Sequence, residues 1–367
     1  MRRSKKKSEV KGFLEAVRPL WVSGWAYTVD ESQPVTVRLW IDDTLRAEMK
    51  ADQLREKMRD LAIHPTGRCG FIFQLDQLAI QLPDKCVVRV TAGDSDHEIW
   101  QSPWPYWSED ARPKGRSDDQ EEPRSPLGDQ FFFIHIPKTA GTSFGDMLLN
   151  VFPEDQIFAN RHDKKDNNTF FPSHNDYLLL PQEKLESVRL LVGHVPFAIG
   201  EILPRTFHRL TFLRNPRDRV ISHLAFAHEH FPVVKGQSIE QLFHQVKRGQ
   251  LTNAQVVYFA DSDPYDLQYF KRQAPIDEQA VRQAVLNIHK CEFVGIVEEF
   301  ETAVRVIEAM FGWKLGQIPF KNKSSTRAKV NIPQHILDEI DEITRLDQIV
   351  YEAARQRFQH LKETFLK

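Results

Sequence analysis

Hydrophobic and polar positions follow two different rhythms along this chain. From Val35 to Ile41 the apolar residues Val35, Val37, Leu39 and Ile41 fall on every second position. That is the period of a strand buried on one face. Phe71-Ile72-Phe73-Gln74-Leu75 and Cys86-Val87-Val88-Arg89-Val90 repeat the pattern, and Asp42-Asp43 offers a turn. Residues 51–62 predict one short helix between these strands. Several short strands punctuated by turns predict a small all-β, sandwich-like domain over residues 12–106. Beyond residue 130 the rhythm changes. Apolar runs at 131–136, 190–192, 210–213 and 293–297 are continuous rather than alternating, and helical stretches separate them. Such strands belong in a parallel sheet with helices on both faces. Residues 333–365 predict one or two amphipathic helices.

The stretch between the two rhythms, 107–129, is charged, proline-containing and nearly free of large apolar residues. It buries too little to offset its ordering entropy and predicts a flexible linker. The domain reading is therefore a basic tail at 1–11, a β-rich accessory domain at 12–106, the linker at 107–129 and an α/β domain at 130–367.

Composition narrows the function. The 367 residues are 41% hydrophobic and 27% charged, with a formal net charge of -2. A nucleic-acid binder would ordinarily be basic, so none is expected as a partner. The three cysteines, Cys69, Cys86 and Cys291, form neither an even framework nor a metal spacing. They fit a reducing compartment. The basic start, Met1-Arg2-Arg3-Ser4-Lys5-Lys6-Lys7, is not followed by an apolar signal core, and 190–203 is short for a span and holds His194 and Glu201. No transmembrane segment and a cytoplasmic location are the expectations.

Chemistry concentrates at three strand ends. The run Phe131-Phe132-Phe133-Ile134-His135-Ile136-Pro137-Lys138-Thr139-Ala140-Gly141-Thr142-Ser143-Phe144 reads as a buried strand, a short loop and a helix. A helix start presents free N–H groups and the positive end of its dipole to an anion. Gly141 permits close backbone approach, Lys138 supplies a charge, and Thr139, Thr142 and Ser143 supply hydroxyls. The order is not that of a nucleoside-triphosphate loop, whose lysine follows its second glycine; here Lys138 precedes Gly141. A plain strand–turn–helix capped by one hydroxyl is the simpler alternative, but a cap needs neither the lysine nor three hydroxyls.

A second strand ends at Arg214 in Leu210-Thr211-Phe212-Leu213-Arg214-Asn215-Pro216-Arg217-Asp218-Arg219-Val220-Ile221-Ser222. Asn215 suits a helix cap and Pro216 a first helical position. Arg214 can fork onto a phosphate with Ser222 adding a hydroxyl. A solvated charged helix with internal Asp–Arg pairs would read the same way. The third strand end is Leu190-Leu191-Val192-Gly193-His194. Ligands in open parallel sheets bind at carboxyl ends of strands, which puts His194 near the rim of the other two loops. A structural histidine is the alternative.

His135-Ile136-Pro137-Lys138-Thr139-Ala140-Gly141-Thr142-Ser143 resembles the 5′-phosphosulfate loop of sulfotransferases that use 3′-phosphoadenosine-5′-phosphosulfate (PAPS). The nearest resemblance is to the carbohydrate branch, including the heparan and uronyl 2-O types and their bacterial relatives. It covers about residues 130–365. It implies a P-loop-like first turn and PAPS as donor, bound by Lys138, Thr139, Ala140, Gly141, Thr142 and Ser143 at the 5′ end and by Arg214 and Ser222 at the 3′-phosphate. It further implies Lys138 and His194 as catalytic residues, His194 as general base, and a hydroxylated acceptor, glycan or glycolipid. No metal is needed for that mechanism. Two rivals are a nucleotide kinase or NTPase, which would need the other lysine order, and a glycan-binding protein without catalysis.

The resemblance also reaches three further segments. Thr252-Asn253-Ala254-Gln255 is similar to a segment that positions the acceptor, with a helix-capping Asn253 as the alternative. Phe293-Val294-Gly295-Ile296-Val297 is similar to a late core strand. Lys321-Asn322-Lys323-Ser324-Ser325-Thr326-Arg327 resembles a loop over the cofactor, or is a surface loop. Gly24-Trp25-Ala26 and Gly70-Phe71-Ile72-Phe73 resemble β modules attached to bacterial glycosyltransferases and sulfotransferases. Trp100, Trp104 and Trp107 are expected to serve packing.

Overall fold

The computed structural model describes residues 9–29, 33–60, 63–93, 97–112, 128–148, 150–158, 161–162, 169–170, 174–203, 207–230, 236–316 and 332–366. The chain divides into two compact units, Met1–Lys114 and Gly115–Lys367. The division falls inside the segment expected to be a linker, of which 113–127 lies outside the described residues.

The first unit is antiparallel. One sheet runs β1(Val10–Arg18), β2(Trp21–Thr28), β6(Arg68–Gln74), β5(Gln53–Leu54). The other runs β4(Thr44–Lys50), β3(Thr36–Ile41), β7(Lys85–Ala92), β8(His97–Glu98), with β9(Trp104–Trp107) also on β7. The first strand begins at Val10, inside the stretch expected to be a tail, because Val10 already pairs with Thr28. Strand β9 likewise runs to Trp107, the first residue of the expected linker. The period-two residues Val37, Leu39 and Ile41 of β3 join Leu14, Val22, Phe71, Val88 and Val90 in one apolar cluster shared by both sheets. Asp42 and Asp43 sit at φ 46° and 61°. Left-handed backbone at both turn residues suits a two-residue hairpin loop joining twisted strands, here β3 to β4. The helix expected over 51–62 is shorter, Glu56–Asp60, because β5 takes Gln53 and Leu54.

The second unit holds a parallel five-stranded sheet with helices. Its strands are β10(Gln130–Ile134), β11(Ile157–Phe158), β14(Leu190–Gly193), β15(Phe207–Leu213) and β16(Phe293–Ile296), in the spatial order β11-β14-β10-β15-β16. A two-stranded ribbon, β12(Arg161–His162) and β13(Thr169–Phe170), lies off it. The central strand β10 is buried along its whole length. Phe131 and Phe133 point to one face, where they meet Phe152, Phe311, Trp313 and Phe144, while Phe132 points to the other, toward Tyr177. Each buried phenylalanine contributes about 1.5–3 kcal/mol. That is why the strand reads as a continuous apolar run. The C-terminal stretch forms two helices, Gln334–Ile343 and Arg345–Phe365. The first packs Ile336 and Ile340 against Val220 and Leu224 of the Pro216–His230 helix, and the second joins the sheet's own core through Val350, Tyr351, Ala354 and Phe358. Among the described residues, no helix is long and apolar enough to cross a membrane.

Candidate active site

Three loops leave the sheet side by side. Ile134 at the end of β10 is in register with Gly193 of β14 and Thr211 of β15, and all three strands run parallel. Their carboxyl ends therefore share one edge, which carries Lys138 after β10, His194 after β14 and Arg214 after β15. Counted along the chain, the sheet order is 2-3-1-4-5, so the winding reverses beside β10. The crevice outside such a reversal, at the carboxyl edge, is where open α/β sheets bind ligands.

The loop after β10 is shaped by its backbone. Lys138 and Ala140 are both left-handed, at φ 72° and 61°. Side chains pay conformational energy for that region, and strain of this kind concentrates at functional sites. Thr139 between them is fully buried, and its hydroxyl donates to the Ile136 carbonyl at 2.9 Å. It secures the loop from within. The helix Gly141–Leu148 begins at once, and the Phe144 N–H donates to the Ala140 carbonyl at 3.1 Å. The first-turn N–H groups accordingly face the loop. Thr142 is exposed, Ser143 buried and Ala140 half-buried. A Cβ at Gly141 would lie 1.9 Å from Cδ2 of His135, so this helix start admits glycine alone without rearrangement.

The Lys138 ammonium stands 3.8 Å from the centre of the Phe226 ring. Burial, with the Arg214 charge adding to it and Glu229 opposing, lowers its pKa to about 8. Lys138 is thus a half-buried cation at neutral pH.

Arg214 meets the same loop. Its Nη1 donates to the Lys138 carbonyl at 3.2 Å. Asn215 caps the next helix as expected: its Oδ1 accepts from the Asp218 N–H at 3.2 Å, and its own N–H donates to Glu298 Oε1 at 2.9 Å. The remaining arginines of the run diverge. Arg217 turns outward to Asp341, with Nε 2.6 Å from Oδ1. Arg219 is buried and donates to the Leu251 carbonyl at 3.1 Å. Ser222 is half-buried two turns into the helix, four residues before Phe226, so the two share one face of the helix.

His194 is tied to the loop by a backbone group. Its Nδ1 lies 2.7 Å from the His135 carbonyl. A carbonyl only accepts, so Nδ1 carries the hydrogen and the neutral ring keeps its lone pair on Nε2. Burial lowers the His194 pKa, and the carbonyl contact partly offsets this. The ring is therefore neutral at pH 7. The His135 ring lies 4.3 Å away between centroids. Its pKa falls well below the usual histidine value through burial and then the charges of His194 and Lys138. Beneath the pair, the Tyr177 hydroxyl donates to the Val192 carbonyl at 2.7 Å, and a Cβ at Gly193 would come within 2.3 Å of it.

The structure also changes the reading of 252–255. Asn253 Oδ1 accepts from the N–H groups of Leu346 and Asp347, at 3.1 and 3.2 Å. It caps the Arg345–Phe365 helix from another part of the chain. Gln255 is fully buried against the main chain of Arg214. His135 and Gln255 lie inside sequence motifs but were given no contact of their own there, and Phe226 and Asp347 carry no local motif, so the sequence assigned none of the four these partners. The loop at 321–327 lies outside the described residues, as do the side chains of His162 and His174. His64 is buried in the first unit, edge-on to Tyr27. No family model matches the chain, and no curated protein matches it.

Proposed function

We propose that the Gly115–Lys367 unit is a P-loop-like sulfotransferase that moves a sulfuryl group from PAPS to a hydroxyl of a carbohydrate acceptor. The observation that carries this reading is the junction of Lys138 and Arg214. Two cationic residues from separate strand-end loops stand beside a helix start, linked by a hydrogen bond from the Arg214 guanidinium to the Lys138 main-chain carbonyl. One phosphate needs one such loop; a nucleotide with phosphates at both 5′ and 3′ positions uses two.

The residues suit such a ligand. Left-handed backbone at Lys138 and Ala140 followed at once by the first-turn N–H groups of Gly141, Thr142 and Ser143 is the kind of backbone that receives phosphate oxygens. The exposed Thr142 hydroxyl extends that set. Arg214 offers a planar fork for the 3′-phosphate, and Ser222 a hydroxyl on the adjoining helix. When bound, PAPS supplies an activated sulfuryl group on a phosphate leaving group.

What the chain contributes is charge placement and a base. Lys138 is protonated at neutral pH and half-buried, so its field at a developing anion is less screened than in bulk water. His194 is neutral, with Nε2 as its basic atom, and accepts the acceptor hydroxyl proton there. The His135 carbonyl stabilises the imidazolium that results, because its contact with Nδ1–H strengthens as the ring gains charge. Sulfuryl transfer, like phosphoryl transfer, depends mainly on this positioning and charge stabilisation.

The test is transfer of labelled sulfate from PAPS to a panel of oligosaccharides, glycolipids and small alcohols, with wild type and His194→Ala. Transfer to at least one acceptor is expected, with turnover lower by ~10²–10⁴ in the variant and unchanged affinity for the desulfated product, 3′-phosphoadenosine-5′-phosphate (PAP). No transfer from PAPS, together with phosphoryl transfer from ATP, would move the chain to the kinases.

A further inference from the structure

We propose that Gln255 is the positioning residue that sets Arg214 for recognition of the 3′-phosphate, and that the amino end of the Arg345–Phe365 helix, through Asp347, holds Gln255 in place. The inference rests on the PAPS reading of the site.

Gln255 makes a closed pair with the main chain of Arg214. Its Oε1 accepts from the Arg214 N–H at 3.0 Å, and its Nε2 donates to the Arg214 carbonyl at 2.8 Å. Both polar groups of Arg214's own backbone are thereby held by one side chain, as an adjacent strand would hold them. Arg214 lies one residue past the end of β15 and needs such an anchor, because the ladder to β16 stops at Leu213. With the main chain fixed and Nη1 on the Lys138 carbonyl, the guanidinium is restrained at both ends.

Gln255 is itself held from behind. Its N–H and that of Val256 both donate to Asp347 Oδ1, each at 2.8 Å. In return Asn253, at φ 42°, accepts from the N–H groups of Leu346 and Asp347. The Asn253 N–H donates to the Ile343 carbonyl at 3.0 Å. The segment and the helix start thus exchange bonds in both directions. Arg219 and Arg272 add donors to the carbonyls of Leu251 and Thr252, at 3.1 and 2.7 Å. Gln255 and Asp347 are both completely buried; both polar atoms of the Gln255 amide and the Asp347 Oδ1 are hydrogen-bonded, while Asp347 Oδ2 is buried with no hydrogen-bond partner among the described residues. This arrangement contacts the Arg214 end of the crevice and not the Lys138 backbone. It should therefore govern selectivity for the 3′-phosphate and leave the 5′ end alone.

The experiment is calorimetric titration of the full chain with PAP and with AMP, which lacks the 3′-phosphate, alongside melting curves. In wild type PAP should bind more tightly. Gln255→Met keeps the volume and removes both bonds. It should weaken PAP by about tenfold and change AMP by less than about twofold. Asp347→Asn keeps the Oδ1 acceptor and should preserve the PAP-to-AMP ratio, whereas Asp347→Ala should lower it. If Gln255→Met does not melt cooperatively, Gln255→Asn replaces it: the amide remains but is one methylene too short to reach, and the same loss of ratio is expected. A folded variant with the wild-type ratio overturns the role of Gln255 while the PAPS reading stands. Equal affinities in wild type overturn the PAPS reading first.

Discussion

The two cationic loops of the crevice are built by opposite means. The Lys138 loop is made locally. Two left-handed residues, a buried threonine hydroxyl and a glycine against the His135 ring all lie within seven residues of sequence, 135–141. The Arg214 end is made by distant parts of the chain. Gln255 is 41 residues away, Glu298 is 83 from Asn215, and Asp347 lies 92 beyond Gln255. One loop takes its shape from left-handed backbone within itself; the other is stapled by buried side chains from distant segments. A local loop is broken by a single steric change within it, and a stapled one by removing any staple, however far off in sequence.

The largest effect should come from Gly141→Ala. The added methyl meets the His135 ring, and the main-chain carbonyl of the same residue is the one that holds His194 Nδ1, so displacement of His135 moves the loop and His194 together. A stability loss of about 1–3 kcal/mol is expected from the overpacking. PAP and AMP should both weaken, by about a hundredfold, because the 5′ side is common to them. Thermal melts and calorimetry measure the two; a variant that binds AMP normally would contradict the local construction of this loop.

Asn253→Ala should act on the other end and more gently. It removes a cap from the Arg345–Phe365 helix, at a cost of about 0.5–2 kcal/mol. PAP should lose affinity by severalfold and AMP should not. If both fall equally, the stapled end is not separable from the local one.

The smallest effect is a pH dependence confined to Lys138. Its pKa is lowered to about 8, chiefly by burial, so the ammonium that attracts an anion is lost as pH rises through that value. PAP affinity should fall on the alkaline side of pH 8 in wild type. Lys138→Arg, charged throughout, should bind with a flatter profile. Calorimetry between pH 7 and 9 checks both.

The same contrast explains what could be read from the residues alone. Apolar runs at 131–136 and 210–213 announced β10 and β15, because strands buried on both faces leave few polar positions. The edge strand β11, Ile157–Phe158, is two residues long and offers no period to detect. Lys138 and Gly141 stood out since the strand–loop–helix order of 131–148 is contiguous in sequence. Asn215 and Pro216 were legible as a helix start for the same reason. Gln255 was legible only as part of the 252–255 segment and Asp347 not at all; their complete burial and their bonds to Arg214 and to each other come from residues far apart in sequence. Arg214 stood out by its place at a strand end, whereas nothing in the charge run told Arg217 from Arg219. Helix geometry sends one to Asp341 and one inward to the Leu251 carbonyl.

The central claim is that the loops after β10 and β15 hold the two phosphate ends of one nucleotide. The most direct measurement is the ratio of PAP to AMP affinity in wild type, Lys138→Ala and Arg214→Ala. Wild type should favour PAP by about tenfold to a hundredfold, the worth of one charged hydrogen-bonding contact. Lys138→Ala should weaken both ligands and keep the ratio; Arg214→Ala should bring the ratio close to one by weakening PAP alone. Equal affinities for PAP and AMP in wild type, or a ratio unmoved by Arg214→Ala, would contradict the account.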